Sequence, residues 1–245
     1  YKLSKGYFFM KITFALPFPA KSPGGGHKII YEYASRLSER SNTVTIIHPL
    51  RLSYLEHRYP YWIRYLYFKY YQKSRPAWYR LPKSINSLVI PEISDSYIGN
   101  SDVFVSTWWA TAVEASKLDP SKGKKFYLIQ GDETWLGNED LVRQSYSLDG
   151  TTPIVISNYL SELLKDTTGK RPYLIPNAIN TSEFYIDTQI ESRDKYHISM
   201  MYNETPIKGS HYGLKALAIV KKIYPQLHVS LFGINSPKIK LPTWY

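Results

Sequence analysis

The run KITFALPFPAKSPGGGHKIIYEYASRLSER, residues 11–40, decides how the rest of the chain is read. Residues 11–16 alternate as a β-strand, residues 17–23 form a loop punctuated by three prolines, and residues 27–40 carry apolar groups at helical spacing. Gly24, Gly25 and Gly26 fall where the helix should begin. Glycine has no Cβ, so its backbone can come close to a ligand, and a helix start offers unpaired N–H groups and partial positive charge. That combination suits an anion, most often a phosphate. A plain strand-to-helix turn fits the triplet equally well, and the glycines alone leave both readings open.

Outward from this run, strand-like and helix-like segments alternate. Strands are expected at residues 43–47, 87–90, 102–106, 125–129, 153–156 and 171–175, with helices at 110–118, 139–147 and 159–166. Repeated β-α alternation with β-branched runs predicts an α/β doubly wound, Rossmann-like parallel sheet. A second unit opens near Tyr196, with a strand at 198–202, a helix at 211–223 and a strand at 228–232. The polar stretch before it reads as a connector. The expected organisation is therefore a domain over residues 10–180, a hinge over 181–195, and the start of a second Rossmann-like domain over 196–245. A single βαβ unit is too small to bury a core of its own, so this second domain reads as incomplete.

Composition narrows the partners. At 245 residues and 43% apolar content, one large or two smaller domains can be stabilised. No apolar run approaches the ~18 residues of a membrane-spanning helix. Residues 1–9 lack the apolar core of a signal peptide and read as an upstream extension, with Met10 opening the first strand. There is no cysteine, which excludes disulfides and thiolate metal sites and fits a reducing cytoplasm. The six histidines show no metal-ligand spacing, so no metal or cofactor is expected. A formal charge of +11 points to anionic partners: nucleic acid, a phosphorylated substrate or acidic lipid. No nucleic-acid-binding motif is present, so nucleic acid is not expected.

Open α/β sheets bind ligands at the carboxyl ends of their strands. Four such ends carry suggestive residues: the glycine loop, Thr107-Trp108-Trp109, the run from Gln130 through Asp132 and Glu133 to Trp135, and the stretch from Ile175 through Asn177. Together they describe a polar, aromatic-floored cleft suited to a sugar. Taken singly, each tryptophan could cap the core and each polar group a helix. In the second unit, Lys208 and Gly209 precede a helix and repeat the anion-binding arrangement, with a lysine as point charge.

The order of these motifs resembles a family 4 type glycosyltransferase with the GT-B fold. The resemblance runs from about Met10 to the end of the chain. The glycine triplet with residues 30–40 and 44–46 looks like that family's opening, and the stretch around Asn177 like its Pro-Asn-Gly hinge. Lys208-Gly209 and Leu231-Phe-Gly233 look like the opening of its nucleotide-sugar domain. Residues 107–109 and 127–130 look closest to bacterial rhamnosyltransferase-like members. The resemblance implies transfer of a sugar, with rhamnose a candidate, from a nucleoside diphosphate donor, with retained anomeric configuration and no obligatory metal. Gly24, Gly25, Gly26, Asn177, Lys208 and Gly209 would then bind the donor, and Trp108, Trp109, Gln130, Asp132 and Glu133 would face the acceptor. The chain departs from the family in three respects. Tyr202-Asn203 stands where the family has Gly-Arg, Ala178 replaces the hinge glycine, and the paired glutamates of the donor domain would fall beyond residue 245.

Residues 54–83 interleave eleven aromatic with seven basic side chains, and Glu56 is their only acid. Rings mixed with cations suit the headgroup level of a membrane, which would place the protein at the inner membrane face near a lipid-linked acceptor. An ordinary helical insertion packed on the domain is the alternative. The leading expectation is thus a transferase of surface polysaccharide biosynthesis. The alternative is a noncatalytic carbohydrate- or membrane-binding module derived from the same fold.

Overall fold

The computed structural model describes residues 9–55, 59–70, 74–136 and 138–245; the side chains of Lys69, Trp135 and Leu136 are outside this description. The upstream extension, Glu56, Arg58 and Lys73 therefore also lie largely or wholly outside the described residues. The chain divides into two units, Tyr1–Ala178 and Ile179–Tyr245.

The first unit is built on seven strands: β1 (Lys11–Ala15), β2 (Thr43–Arg51), β3 (Asn86–Glu92), β4 (Val103–Ser106), β5 (Lys124–Ile129), β6 (Thr151–Val155) and β7 (Tyr173–Leu174). They hydrogen-bond in the order β3-β2-β1-β4-β5-β6-β7, and every pair is parallel. The expected doubly wound parallel sheet is therefore present. Its helices are α1 (Gly25–Glu39), α2 (Tyr61–Tyr70), α3 (Trp109–Ala115), α4 (Glu139–Ser145) and α5 (Asn158–Thr168).

Period-two alternation explains the two layers. Ile12, Phe14 and Leu16 of the first strand region, Val44 and Ile46 of β2 and Leu128 of β5 pack on Ile30, Tyr31 and Ala34 of α1. Their neighbours in sequence face the other way. Ala15, Ile47, Phe104, Tyr127 and Ile129 pack on Trp109 and Ala112 of α3, Val142 of α4 and Leu160 and Leu164 of α5. Both sheet faces are thus covered, as a parallel sheet requires.

β2 runs four residues past its expected end. Its pairing with β1 stops at Ala15↔Ile47, whereas pairing with β3 continues through His48↔Val89 and Pro49↔Ile90 to Arg51↔Glu92. Pro49 lacks an N–H, and it sits where one side of the strand has already lost its partner.

The second unit, considered by itself, pairs β8 (His197–Met201) with β9 (His228–Phe232) in parallel through α6 (Ser210–Ile223). Its small core is Leu217, Leu227 and Val229, with Met200, Leu231 and Trp244 packed around them. Gly209 joins a 3₁₀ turn, Pro206–Lys208, to α6 at φ 69°, a left-handed conformation that a Cβ disfavours.

Candidate functional site

In a doubly wound sheet, the strand order reverses at one place, and ligands bind in the crevice outside the carboxyl ends there. Here the reversal lies between β1 and β4. The loop after β1 leads to the glycines, and the turn after β4 leads to the two tryptophans.

Gly24 caps α1 in an extended conformation, and Lys28 N–H donates to its carbonyl at 2.9 Å. Gly25 and Gly26 are the first two helical residues, and none of the three glycines has positive φ. A Cβ on Gly25 would meet no other protein atom within 4 Å, and on Gly24 only His27 Nδ1 at 3.9 Å. Neither the backbone nor neighbouring atoms therefore require glycine at 24 or 25. Among the described residues, no side chain of the cap residue bonds to this helix start, and its first turn carries no acid. The local chemistry favours negative charge.

Gln130, just past β5, reaches across to this helix start: its Nε2 donates to Gly26 O at 3.3 Å. The structure thus brings the glycine triplet and Gln130 together. The loop itself is pinned by His27, bonded to Phe18 O at 2.9 Å, and by Trp78, whose Nε1 donates to Ala20 O at 3.1 Å.

The β4 turn is organised by Thr107 and Thr111. Thr107 Oγ1 donates to Ala15 O at 2.8 Å, tying the ends of β4 and β1 together. Thr111 Oγ1 accepts from the N–H groups of Thr107 and Trp108. Trp109 is fully buried in the core, and no part of its ring is offered to a ligand. Trp108 is half-buried, with its ring 5.6 Å from that of Trp109.

The adjacent carboxylates Asp132 and Glu133 have different environments. Asp132 accepts from Tyr146 OH at 3.1 Å and from Arg143 Nη2 at 3.3 Å, which anchors it to α4 and the turn that follows. Glu133 opens a 3₁₀ turn after β5. Its Oε2 accepts the backbone N–H of Trp109 at 3.2 Å and lies 3.5 Å from Tyr127 OH. Burial, helped slightly by the charge of Asp132, pushes the Glu133 carboxyl up to about 7, and the two hydrogen bonds only partly oppose this. A carboxyl that changes charge near neutrality can both accept and return a proton.

His48 carries a signal that sequence reading missed. It lies on the α1 side of β2, wholly buried, and neither ring nitrogen has a hydrogen-bond partner. Burial first and the neighbouring His27 second push it down to about 3, outweighing the Phe18 carbonyl nearby. It is therefore neutral beneath the loop. A histidine in an otherwise apolar strand was the available clue. His27 is also shifted down, mainly by burial.

Of the remaining sequence-predicted residues, Asn177 belongs to the first unit and Lys208 and Gly209 to the second. Asn177 is exposed near the end of the first unit. Lys208 is exposed in the turn before α6 of the second unit, and Gly209 has a conformational reason of its own. Among the described residues, no group of three His, Asp or Glu could hold a metal ion. No described helix is long and apolar enough to cross a membrane.

The aromatic, basic stretch separates into two parts. Trp78 and Tyr79 pack against Tyr31 under α1, and Arg75 is turned inward, donating to the carbonyls of Leu81, Pro82 and Ile85 at 2.6–2.8 Å. These three serve the fold. On α2, by contrast, the rings of Tyr61, Trp62, Tyr65, Tyr67 and Tyr70 are exposed.

The sequence matches no protein-family model and no curated protein.

Proposed function

We propose that the chain is a glycosyltransferase of GT-B type that takes a sugar from a nucleoside diphosphate donor. The observation that supports it is the start of α1. A glycine-begun, fifteen-residue helix stands at the sheet's reversal point, and a Cβ on its first residue would touch no protein atom. A diphosphate leaving group develops negative charge as the glycosidic bond breaks, and preformed N–H donors favour that charge most in the transition state. By the sequence resemblance, Asn177, Lys208 and Gly209 are the further donor-binding candidates, with Lys208 as a point charge suited to a phosphate. Glu133 is the group assigned to the acceptor hydroxyl. Its Oε2 is held by Trp109 N–H, and its near-neutral titration lets it take the hydroxyl proton as the new bond forms. Asp132, Trp108 and Gln130 would shape that side. The reading places the protein peripherally on the cytoplasmic face of a membrane, working on a saccharide or lipid-linked acceptor in surface polysaccharide biosynthesis, with rhamnose as the candidate sugar.

Titration calorimetry of the chain with uridine and thymidine diphosphates tests the donor assignment. Micromolar binding that weakens at least about tenfold in Lys208→Ala supports it. Equal binding by the variant counts against the role of Lys208, and no heat with either nucleotide counts against the transferase reading.

A further inference from the structure

We propose that the outward face of α2 docks this chain on an anionic lipid bilayer at the level of the headgroups. The inference gives a surface to the membrane placement above and rests on it.

The helix is turned inside out relative to ordinary packing. Tyr61, Trp62, Tyr65, Leu66, Tyr67 and Tyr70 are 44%, 62%, 42%, 42%, 37% and 68% exposed, while Ile63, Arg64 and Phe68 are only partly so. At 100° per residue these exposed side chains sweep roughly two thirds of the helix circumference. Tyr59 continues the patch at 52% exposure. Isolated exposed apolar residues need no explanation, but a contiguous aromatic face marks an interaction site.

Its chemistry selects the partner. Indole and phenol rings have an apolar body and a polar tip, which suits them to the boundary between acyl chains and headgroups. The only charged residues in Tyr61–Tyr70 are Arg64 and Lys69, both cations. A two-fold contact between copies of this helix would bring no acid from the helix to answer Arg64. Single-stranded nucleic acid is held in grooves, whereas this face is the convex side of a helix. A bilayer accepts a convex aromatic surface, and its acidic headgroups answer the positive charge. The position is also apt. Lys21, on the loop leading to the glycines, lies 4.7 Å from the ring of Tyr67, so the docking face borders the loop of the candidate site.

Co-sedimentation at low salt with vesicles of phosphatidylglycerol and phosphatidylethanolamine, against phosphatidylcholine alone, is the test. The full chain should bind the anionic vesicles at least about tenfold more tightly, and Trp62→Ser/Leu66→Ser should lose roughly tenfold or more of that binding. Trp62→Phe, which keeps a ring, should still bind while losing much of the fluorescence quenching caused by brominated acyl chains. No binding to anionic vesicles, equal binding by the double variant, or unchanged quenching in bound Trp62→Phe would each overturn the proposal. So would a dimer, or retention of single-stranded RNA in place of vesicles, that depends on Trp62 and Leu66. Nucleotide calorimetry without lipid keeps the two readings separate. A chain that binds nucleoside diphosphate but not vesicles loses only the docking surface, and one that binds vesicles but not nucleotide loses only the transferase reading.

Discussion

Replacing Gly25 by alanine should make the protein more stable and a worse binder. Gly25 is the first residue of α1, has no positive φ, and offers an added Cβ open space to 4 Å. Alanine at such a site restricts the unfolded chain and stabilises the fold by about 0.4–1 kcal/mol. In a chain of 245 residues that raises the unfolding midpoint by roughly 1–4 °C. The new methyl would tilt toward the helix N-terminus, where the proposed diphosphate meets the N–H groups. Losing one charge-assisted hydrogen bond there costs about 1.5–3 kcal/mol, or roughly ten- to a hundredfold in affinity. Differential scanning calorimetry and nucleotide titration on the same two proteins give both readouts. Unchanged or tighter nucleotide binding would refute the ligand-based reason for this glycine. A fall in stability would show that the turn itself demands it.

Two buried groups should shape stability against pH in opposite directions. Glu133 rises from an ordinary 4.5 to about 7, so the folded state holds more protons between those values and stability falls as pH climbs through that window, by about 3 kcal/mol in all. His48 falls from 6.5 to about 3, so the unfolded state holds more protons there and stability rises with pH across that window, by several kcal/mol. Between about pH 4.5 and 6.5 the two trends oppose each other in the parent protein. Urea unfolding of Glu133→Gln relative to the parent should therefore gain stability from pH 5 to about 7 and level off above, and His48→Leu relative to the parent should gain on going to pH 4. A flat difference in either case refutes the corresponding assignment. Arg75→Ala removes donors to three carbonyls and should cost about 2 kcal/mol while leaving vesicle binding unchanged; a loss of vesicle binding without destabilisation would put Arg75 on the docking surface instead.

The parallel sheet was legible because each strand's alternation is local, and the two faces of β1 and β5 sort cleanly in the sequence. The extension of β2 to Arg51 was not, because it depends on β3, some forty residues away, continuing where β1 has stopped. Site residues divide the same way. Spacing placed Gly26 and Gln130 at strand ends, and the sheet order then brought them within hydrogen-bonding distance. Nothing local distinguishes Trp108 from Trp109, or Asp132 from Glu133. Which of each pair is buried, and which carboxylate is tied by Arg143 and Tyr146, follows from tertiary packing. For the same reason a single run of rings and cations yielded a packed Trp78 and an outward Trp62.

A crystal structure of the chain grown with a nucleoside diphosphate is the most direct measurement of the account. It should show phosphate oxygens about 2.7–3.2 Å from the backbone N–H groups of Gly25 and Gly26. A diphosphate bound away from the start of α1, or none at a saturating concentration, would contradict it.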